Sequence, residues 1–159
     1  MATGFIAAWR HFLDAFRSVS PRFRFDWCPS MGRERYAWEE AYPGDAYVYV
    51  IGVDVYDESV WSDIADPATR FAHLRARRYG LDWLAAFAAR KRRPISIAEW
   101  GVGGNGSGDN ALFVERMHAW IATHPVVYHA YWNSDAEYSG KLSDGRLPLA
   151  GRMYRELFR

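Results

Sequence analysis

The chain contains 159 residues, of which 50% are hydrophobic, 17% aromatic and 25% charged. That length suits one domain with a sizeable core, and the apolar content excludes an intrinsically disordered chain. Because 20 Lys and Arg residues are balanced by 19 Asp and Glu residues, the net charge of +1 provides no global attraction to nucleic acid or to an anionic membrane.

Two elements and a long loop are predicted before residue 46. Residues 3–18 form a helix, because apolar side chains recur at three- and four-residue spacing and Pro21 bounds the end. Residues 22–28 alternate between aromatic and polar side chains, which predicts a strand that stops at Pro29. Residues 30–45 are predicted to be a polar and aromatic loop.

The middle of the chain is predicted to be a buried strand followed by one long helix. Residues 46–55 form an almost continuous β-branched run, which is typical of a strand buried on both faces of a parallel sheet. After a loop, Asp66 is the predicted N-cap of a helix that has Pro67 at its first position and continues to about Ala89.

Two more strands and two more helices are predicted in the last third. Residues 95–99 form a short strand, and Asp109 is the predicted N-cap of a helix over 110–123. A strand over 126–132 and a last helix over about 148–158 follow.

The alternation of strands and helices predicts right-handed crossovers and a parallel α/β sheet. The four strands are half the number in a (β/α)₈ barrel, which needs about 250 residues. We therefore expect either a small open α/β sheet or half a barrel. Since neither a repeat nor a linker is evident, residues 1–159 are predicted to form a single domain.

Functional residues of parallel α/β folds lie at the carboxyl ends of the strands. Each predicted end carries a carboxylate or an aromatic side chain. These ends are Asp26-Trp27-Cys28, Asp54-Val55-Tyr56-Asp57, Glu99-Trp100 and Tyr131-Trp132-Asn133. Carboxylates can act as nucleophile or proton shuttle, and aromatic faces can stack on pyranose rings, which together is the chemistry of glycoside hydrolysis.

Glu99 is the most specific of these candidates, because an ionised group ending an apolar strand is costly unless it is paired or used. An ordinary solvent-facing Glu is the alternative. Tyr56 can donate a hydrogen bond to a carboxylate on the neighbouring strand, and Trp132 can form a sugar platform, although both also suit plain packing. Asp54 lies within an apolar run, which favours hydrogen-bonded scaffolding over catalysis.

Nucleotide, metal and membrane binding are disfavoured. Residues 101–106 match G-x-G-x-x-G, but the next acid, Asp135, comes later than the roughly 20 residues that the nucleotide fingerprint expects. A nucleotide-binding domain is therefore kept only as a third hypothesis. One cysteine, Cys28, and five scattered His residues predict no metal site, and no cofactor is expected. No apolar run approaches the roughly 20 residues of a membrane span, and the first residues do not resemble a signal peptide.

Four segments resemble the last four strands of glycoside hydrolase family 26, the β-mannanase family. Residues 23–30 resemble its fifth strand, 42–57 its sixth, 94–101 its seventh and 126–133 its eighth. Residues 5–11 resemble the helix after the fourth strand. The resemblance spans essentially the whole chain and implies half of a (β/α)₈ TIM barrel, with four parallel strands (barrel strands 5–8) and flanking helices.

The resemblance implies retaining hydrolysis of a β-linked polysaccharide or oligosaccharide. It implies that Glu99 is the nucleophile, that Tyr56 orients it and that Asp54 provides structural support. The side chains expected to bind substrate are Trp132, Trp27 and Trp100.

One expected group has no match. Retaining hydrolysis needs a second carboxyl roughly 5–5.5 Å from the nucleophile. The resemblance implies that the family carries it in a His-Glu motif at the end of the fourth strand. Asp26 and Glu58 are considered as replacements and are disfavoured. The isolated chain is therefore expected to have little or no activity. Three interpretations stay open: it is a fragment of a longer glycosidase, it pairs with a separate amino-terminal half barrel, or it pairs with a second copy of itself. A non-catalytic carbohydrate-binding or interaction module derived from a glycosidase is the alternative.

Overall fold

The computed structural model describes residues 2–29, 37–58, 64–103, 107–136 and 139–159, and it contains one sheet of four parallel strands. In chain order, which is also their order in the sheet, the strands are β1 (Asp26–Trp27), β2 (Val50–Tyr56), β3 (Ile95–Gly101) and β4 (Val126–Tyr131). The helices are α1 (Ala2–Val19), α2 (Pro67–Ala76), α3 (Leu81–Lys91), α4 (Ala111–Thr123) and α5 (Pro148–Leu157). The predicted parallel α/β sheet is confirmed.

The first two strands are shorter than predicted. Pairing of β1 with β2 begins only at Asp26, after the carbonyl of Phe25 has accepted the N–H groups of Tyr49 and Val50 at 2.9 and 3.3 Å. Residues 46 and 47, predicted as the start of the strand, belong to a 3₁₀ turn over Asp45–Tyr47 instead. Side chains from α1 hold this turn: Trp9, Arg10 and Arg17 donate to the carbonyls of Tyr47, Pro43 and Ala46 at 3.2, 2.8 and 2.8 Å.

The long helix predicted after Asp66 is two helices, α2 and α3. Its start is as predicted, because the Asp66 carboxylate accepts the Thr69 N–H at 2.7 Å. The break lies at Tyr79, which has a left-handed φ of 61°, and at Gly80. A Cβ on Gly80 would lie 2.3 Å from the carbonyl oxygen of Leu74, so only glycine fits against the end of α2.

Asp109 caps a different helix from the predicted one. Asn110 is the N-cap of α4, and its side chain accepts the Phe113 N–H at 3.2 Å. The Asp109 carboxylate instead accepts the N–H groups of Leu149 and Ala150, at 2.8 and 2.7 Å, in the first turn of α5. The two neighbouring residues therefore anchor both helices of the carboxyl-terminal part of the fold.

The core lies between the sheet and the helices. Apolar side chains from β2 and β3 pack there against one side of α2, α3 and α4. Its members include Ile51, Val53, Val55, Ile95, Ile97, Phe71, Leu74, Leu84, Phe87, Phe113 and Met117. Because side chains alternate along a strand, the residues between these core positions face the other side of the sheet. That second face carries the polar side chains that form the candidate site.

Candidate active site

Tyr56 and Glu99 meet at the carboxyl ends of β2 and β3. The Tyr56 hydroxyl donates a hydrogen bond to Oε1 of Glu99. The strand register explains the contact, since Asp54 is the Cα partner of Glu99 and Tyr56 is the partner of Gly101. A hydrogen bond to one oxygen of a carboxylate restricts the rotation of the group and leaves the other oxygen free to react.

Trp132 lies at the same end of the sheet, directly after β4. Its backbone N–H donates to the Trp100 carbonyl at 2.8 Å, which continues the pairing of β4 with β3. A Cβ on Gly101 would lie 3.1 Å from Cε1 of Tyr56 and 3.7 Å from Cβ of Trp132. Tyr56 and Trp132 therefore flank Gly101, and Glu99, Tyr56 and Trp132 converge at one edge of the sheet.

Asp54 lies two residues before Tyr56 on the same face of β2, and its side chain contacts Cys28. The Cys28 thiol donates to Oδ1 of Asp54, with 3.5 Å between the sulfur and the oxygen. Burial raises the pKa of Asp54, the hydrogen bond from Cys28 opposes that rise, and the charges of Glu99 and Asp26 add to it. Burial is also the main reason that the pKa of Cys28 is raised, so this side chain is a thiol and not a nucleophilic thiolate at neutral pH.

The raised pKa of Asp54 predicts a measurable pH dependence of stability. The folded state binds this proton more tightly than the unfolded chain, so the free energy of unfolding falls as the pH rises from the ordinary value of 3.8 through the raised folded value. Asp54→Asn keeps an acceptor for Cys28 but has no charge. We expect a higher melting temperature than wild type at pH 7 and a smaller difference at pH 4, with the exposed Asp14→Asn as the control. A larger gain at pH 4 than at pH 7 would contradict this.

Asp26 lies below Glu99, level with the amino-terminal half of β2, where Val50 is its Cα partner. Its Oδ2 accepts hydrogen bonds from the hydroxyls of Ser96 and Tyr128. Burial and the Asp26 carboxylate raise the pKa of Tyr128 to about 12, so its hydroxyl stays protonated. Gly52 leaves room for this cluster, because a Cβ there would lie 2.1 Å from Oγ of Ser96. These contacts give Asp26 a role in joining β1, β3 and β4, which agrees with the prediction that disfavours it as the missing acid.

Trp27 and Trp100 do not reach the candidate site, and the prediction that they contact substrate is wrong. Trp27 is 2% exposed, and its ring packs edge-on against Tyr42 with 5.1 Å between the ring centroids. Trp100 is fully buried, packs edge-on against Tyr131 at 5.0 Å, and donates from Nε1 to Nδ1 of His129 at 3.2 Å. Trp27 directly follows Asp26, and Trp100 directly follows Glu99. Because these two carboxylates lie on the sheet face opposite the helices, strand alternation turns both tryptophan rings toward the helices.

The sequence analysis missed a buried ionic network behind Tyr56. The Asp57 carboxylate, 1% exposed, accepts hydrogen bonds from Arg70 at 2.6 and 3.1 Å and from Nδ2 of Asn110 at 2.6 Å. The Asp57 N–H also donates to the Gly101 carbonyl at 3.1 Å. The network thus joins the end of β2 to α2 and to the start of α4. The one signal in the sequence that could have indicated this network is Arg70, a charged residue among the apolar positions of α2.

Nucleotide binding, metal binding and membrane insertion are the functions that the sequence disfavours. Residues 104–106 of the glycine-rich segment, which carries the disfavoured nucleotide-binding pattern, lie outside the described ranges. Within those ranges, no group of three or more His, Cys, Asp or Glu side chains could hold a metal ion. The helices of the described ranges include none that is long and apolar enough to cross a membrane.

Comparison with known proteins identifies the architecture. No family model and no curated protein matches the chain. Among solved structures, the catalytic domain of a Bacillus sp. JAMB-750 GH26 endo-β-1,4-mannanase matches 98% of this chain and 44% of its own, with a TM-score of 0.66 and 20% identity. A GH26 β-mannanase from Bacteroides ovatus matches 96% of this chain and 44% of its own, with a TM-score of 0.63 and 20% identity. A modular endo-β-1,4-mannanase from Cellulomonas fimi matches 91% and 34%, with a TM-score of 0.60 and 23% identity.

The likeness to these structures is one of fold. The four parallel strands and their helices correspond to part of the GH26 TIM barrel, which confirms the predicted half-barrel architecture. The chain spans 34 to 44% of the length of these three structures. In such a barrel, the sheet face that carries Glu99, Tyr56 and Asp54 faces the barrel interior, and the helices form the outer layer.

Proposed function

We propose that the chain is the half of a retaining glycoside hydrolase that carries the nucleophile, acting on a β-linked polysaccharide or oligosaccharide of the mannan type. The observation that carries this proposal is the hydrogen bond from Tyr56 to Glu99, together with the half-buried Trp132 on the other side of Gly101 from Tyr56. The position of this group supports it further, because the catalytic groups of (β/α)₈ barrels lie at the carboxyl ends of the strands. The GH26 fold supports the choice of substrate class.

In the proposed reaction, Tyr56 orients Glu99 and Trp132 supports the sugar ring. The free carboxylate oxygen of Glu99 attacks the anomeric carbon as the glycosidic C–O bond breaks, and the leaving oxygen takes the bonding electrons and a proton from the acid. Water then attacks the same carbon and gives its proton to the conjugate base, and Glu99 leaves as a carboxylate. Asp54 supports Tyr56 from the layer below.

The carboxylic acid of this reaction is proposed to come from a second half barrel. Within the described residues, β1 and β4 each pair with one strand only. Exposed apolar side chains lie on the elements next to these two edges: Phe5, Phe12, Phe16, Val127 and Leu149. Four further βα units would cover both edges and place a carboxyl opposite Glu99.

Mixing the chain with the first four βα units of a GH26 mannanase tests this partner. We expect a one-to-one complex by light scattering and a rise in mannan hydrolysis on the order of 10²–10⁴-fold, the usual contribution of proton donation. A stable dimer of the chain that does not bind the added half would instead favour a homodimer.

A mechanism-based label tests the nucleophile in the absence of the acid. A 2,4-dinitrophenyl 2-deoxy-2-fluoro-β-mannoside has a leaving group that departs without protonation, so the first step needs only the nucleophile and the sugar site. We expect one covalent sugar per chain, on the peptide that contains Glu99. A label on any other residue would overturn the assignment of Glu99.

The alternative function, a non-catalytic carbohydrate-binding module, would use the Trp132 platform alone. Trp132→Ala is expected to weaken binding of mannohexaose about tenfold or more under either function, because a buried aromatic contact at the centre of a site contributes roughly 2 kcal/mol. Titration calorimetry measures the change, with the exposed Phe12→Ala as the control. Unchanged affinity in Trp132→Ala would contradict the proposed platform.

Glu99→Gln distinguishes the two functions. A binding module keeps its saccharide affinity in this variant and is not labelled in the wild type. A hydrolase loses labelling in this variant, while its affinity changes little.

A further inference from the structure

A cleft at the amino-terminal edge of the sheet, at the opposite end from Glu99, has no part in the proposed hydrolysis. It has a volume of about 490 Å³, within the usual range for small-molecule sites. Its walls come from the end of α1, from the segments that precede β1 and β2, and from the residue that precedes Pro94. The side chains that matter for its chemistry are Arg17, Arg24, Arg93, Phe23, Phe25 and Tyr49.

The cleft is positively charged. Three guanidinium groups line it, whereas Asp45 is the one carboxylate among its lining residues, and that carboxylate already lies 3.8 Å from Nζ of Lys91. Arg17 donates to the Ala46 carbonyl at 2.8 Å, and Arg93 donates to the Asp45 carbonyl. Carbonyl acceptors hold the guanidinium groups in place without neutralising them, so the positive charge remains available to a ligand.

Arg93 also has an unsatisfied donor. Its Nε is buried and has no hydrogen-bond partner of good geometry among the described residues, while the guanidinium lies close enough to the Tyr42 hydroxyl to oppose the rise in the pKa of Tyr42 that burial causes. A buried N–H of a charged group without an acceptor is costly, and such groups in native proteins usually mark a missing water, ion or ligand. An oxyanion in the cleft would supply acceptors to the arginines that line it.

A flat apolar surface lies beside these charges. The Arg24 guanidinium stacks over the Tyr49 ring at 5.0 Å from the centroid, and Tyr49 and Phe23 are 50% and 43% exposed. Exposed aromatic faces of this kind contact the apolar face of a ring in a ligand.

We propose that this cleft binds an organic oxyanion, a ring of monosaccharide or disaccharide size that bears a carboxylate or a phosphate. The arginines bind the oxyanion, and the aromatic side chains contact the ring. Arg24 is the specificity-determining residue, because it contributes both charge and stacking. Its own hydrogen bonds go to the nearby carbonyls of Pro21 and Phe23 at 3.1 and 3.4 Å, so it does not tie distant segments together.

Calorimetry of the purified chain at low salt tests the cleft with four probes: glucuronate, glucose 6-phosphate, inorganic phosphate and neutral glucose. At least one of the two charged sugars is expected to bind more tightly than inorganic phosphate and than glucose, and the better of the two identifies the group as carboxylate or phosphate. Arg24→Ala is expected to weaken that binding about tenfold, the usual effect of losing one hydrogen bond to a charged group. Arg24→Glu is expected to abolish it.

The matched control is Arg75→Glu, which makes the same change in net charge on α2, where Arg75 is exposed and pairs with Asp82 at 3.2 Å. This variant is expected to bind as wild type. The proposal is overturned if no probe binds, if Arg24→Ala and Arg24→Glu bind as wild type, or if Arg75→Glu weakens binding as much as Arg24→Glu. Equal affinity for inorganic phosphate and the charged sugars would also overturn it. None of these results depends on Glu99 or on hydrolysis.

Discussion

Replacing Glu99 with Gln is expected to abolish covalent labelling and to reduce dinitrophenolate release on the order of 10⁴-fold or more. Losing the nucleophile of a covalent hydrolase has effects of at least this size, because an amide does not attack the anomeric carbon. Release of dinitrophenolate, followed by absorbance, measures the change. The saccharide affinity should stay near the wild-type value, since the amide has the size and shape of the carboxylate.

Two further variants separate nucleophilic attack from a supporting role. In Glu99→Ala, azide ions can enter the space left by the side chain, and we expect them to restore dinitrophenolate release with a glycosyl azide as product. Tyr56→Phe removes the hydrogen bond to Glu99 and is expected to reduce the labelling rate about tenfold or more. Tyr49→Phe, an identical change at an exposed tyrosine, is the control. Full activity in Glu99→Gln would end the hydrolase proposal.

Arg70→Ala is expected to be the most destabilising single change outside the apolar core, by about 3–5 kcal/mol in the free energy of unfolding. The substitution leaves the Asp57 carboxylate buried with Asn110 as its only remaining side-chain partner among the described residues. It also removes the hydrogen bonds that Arg70 donates to the carbonyls of Ile64 and Ala65 at 2.9 and 3.0 Å. Urea unfolding measures the loss.

The matched control for Arg70 is Arg75→Ala on the same helix. Arg75 pairs with Asp82 at the surface, where both side chains are about half exposed, and such pairs contribute about 0–1 kcal/mol. The double variant Asp57→Leu, Arg70→Met removes both charges and is expected to be more stable than Arg70→Ala, because no unpaired buried ion remains. Equal losses in Arg70→Ala and Arg75→Ala would show that the buried network contributes little.

The two proposed substrate contacts that proved wrong show where pattern reasoning fails. Trp27 and Trp100 were chosen because they lie at strand ends, but each directly follows a carboxylate that lies on the sheet face opposite the helices. Strand alternation alone would have assigned them to the helix side. Trp132 differs, because it lies one residue beyond β4, where strand alternation no longer applies and only the fold places it beside Gly101.

The sequence by itself determined the alternation of strands with helical segments, the parallel sheet, the cap at Asp66 and the strand ends that carry Glu99 and Tyr56. These features depend on local periodicity, on turn chemistry and on the rule that parallel strands share one carboxyl edge. Only the tertiary structure decided which distant groups meet: Asp109 with the start of α5 and Arg70 with Asp57. It also decided that three arginines line one amino-terminal cleft. Such contacts join residues that are distant in the chain, such as Asp109 and Ala150, which are 41 positions apart. They depend on helix placement, which the pattern of a single segment does not encode.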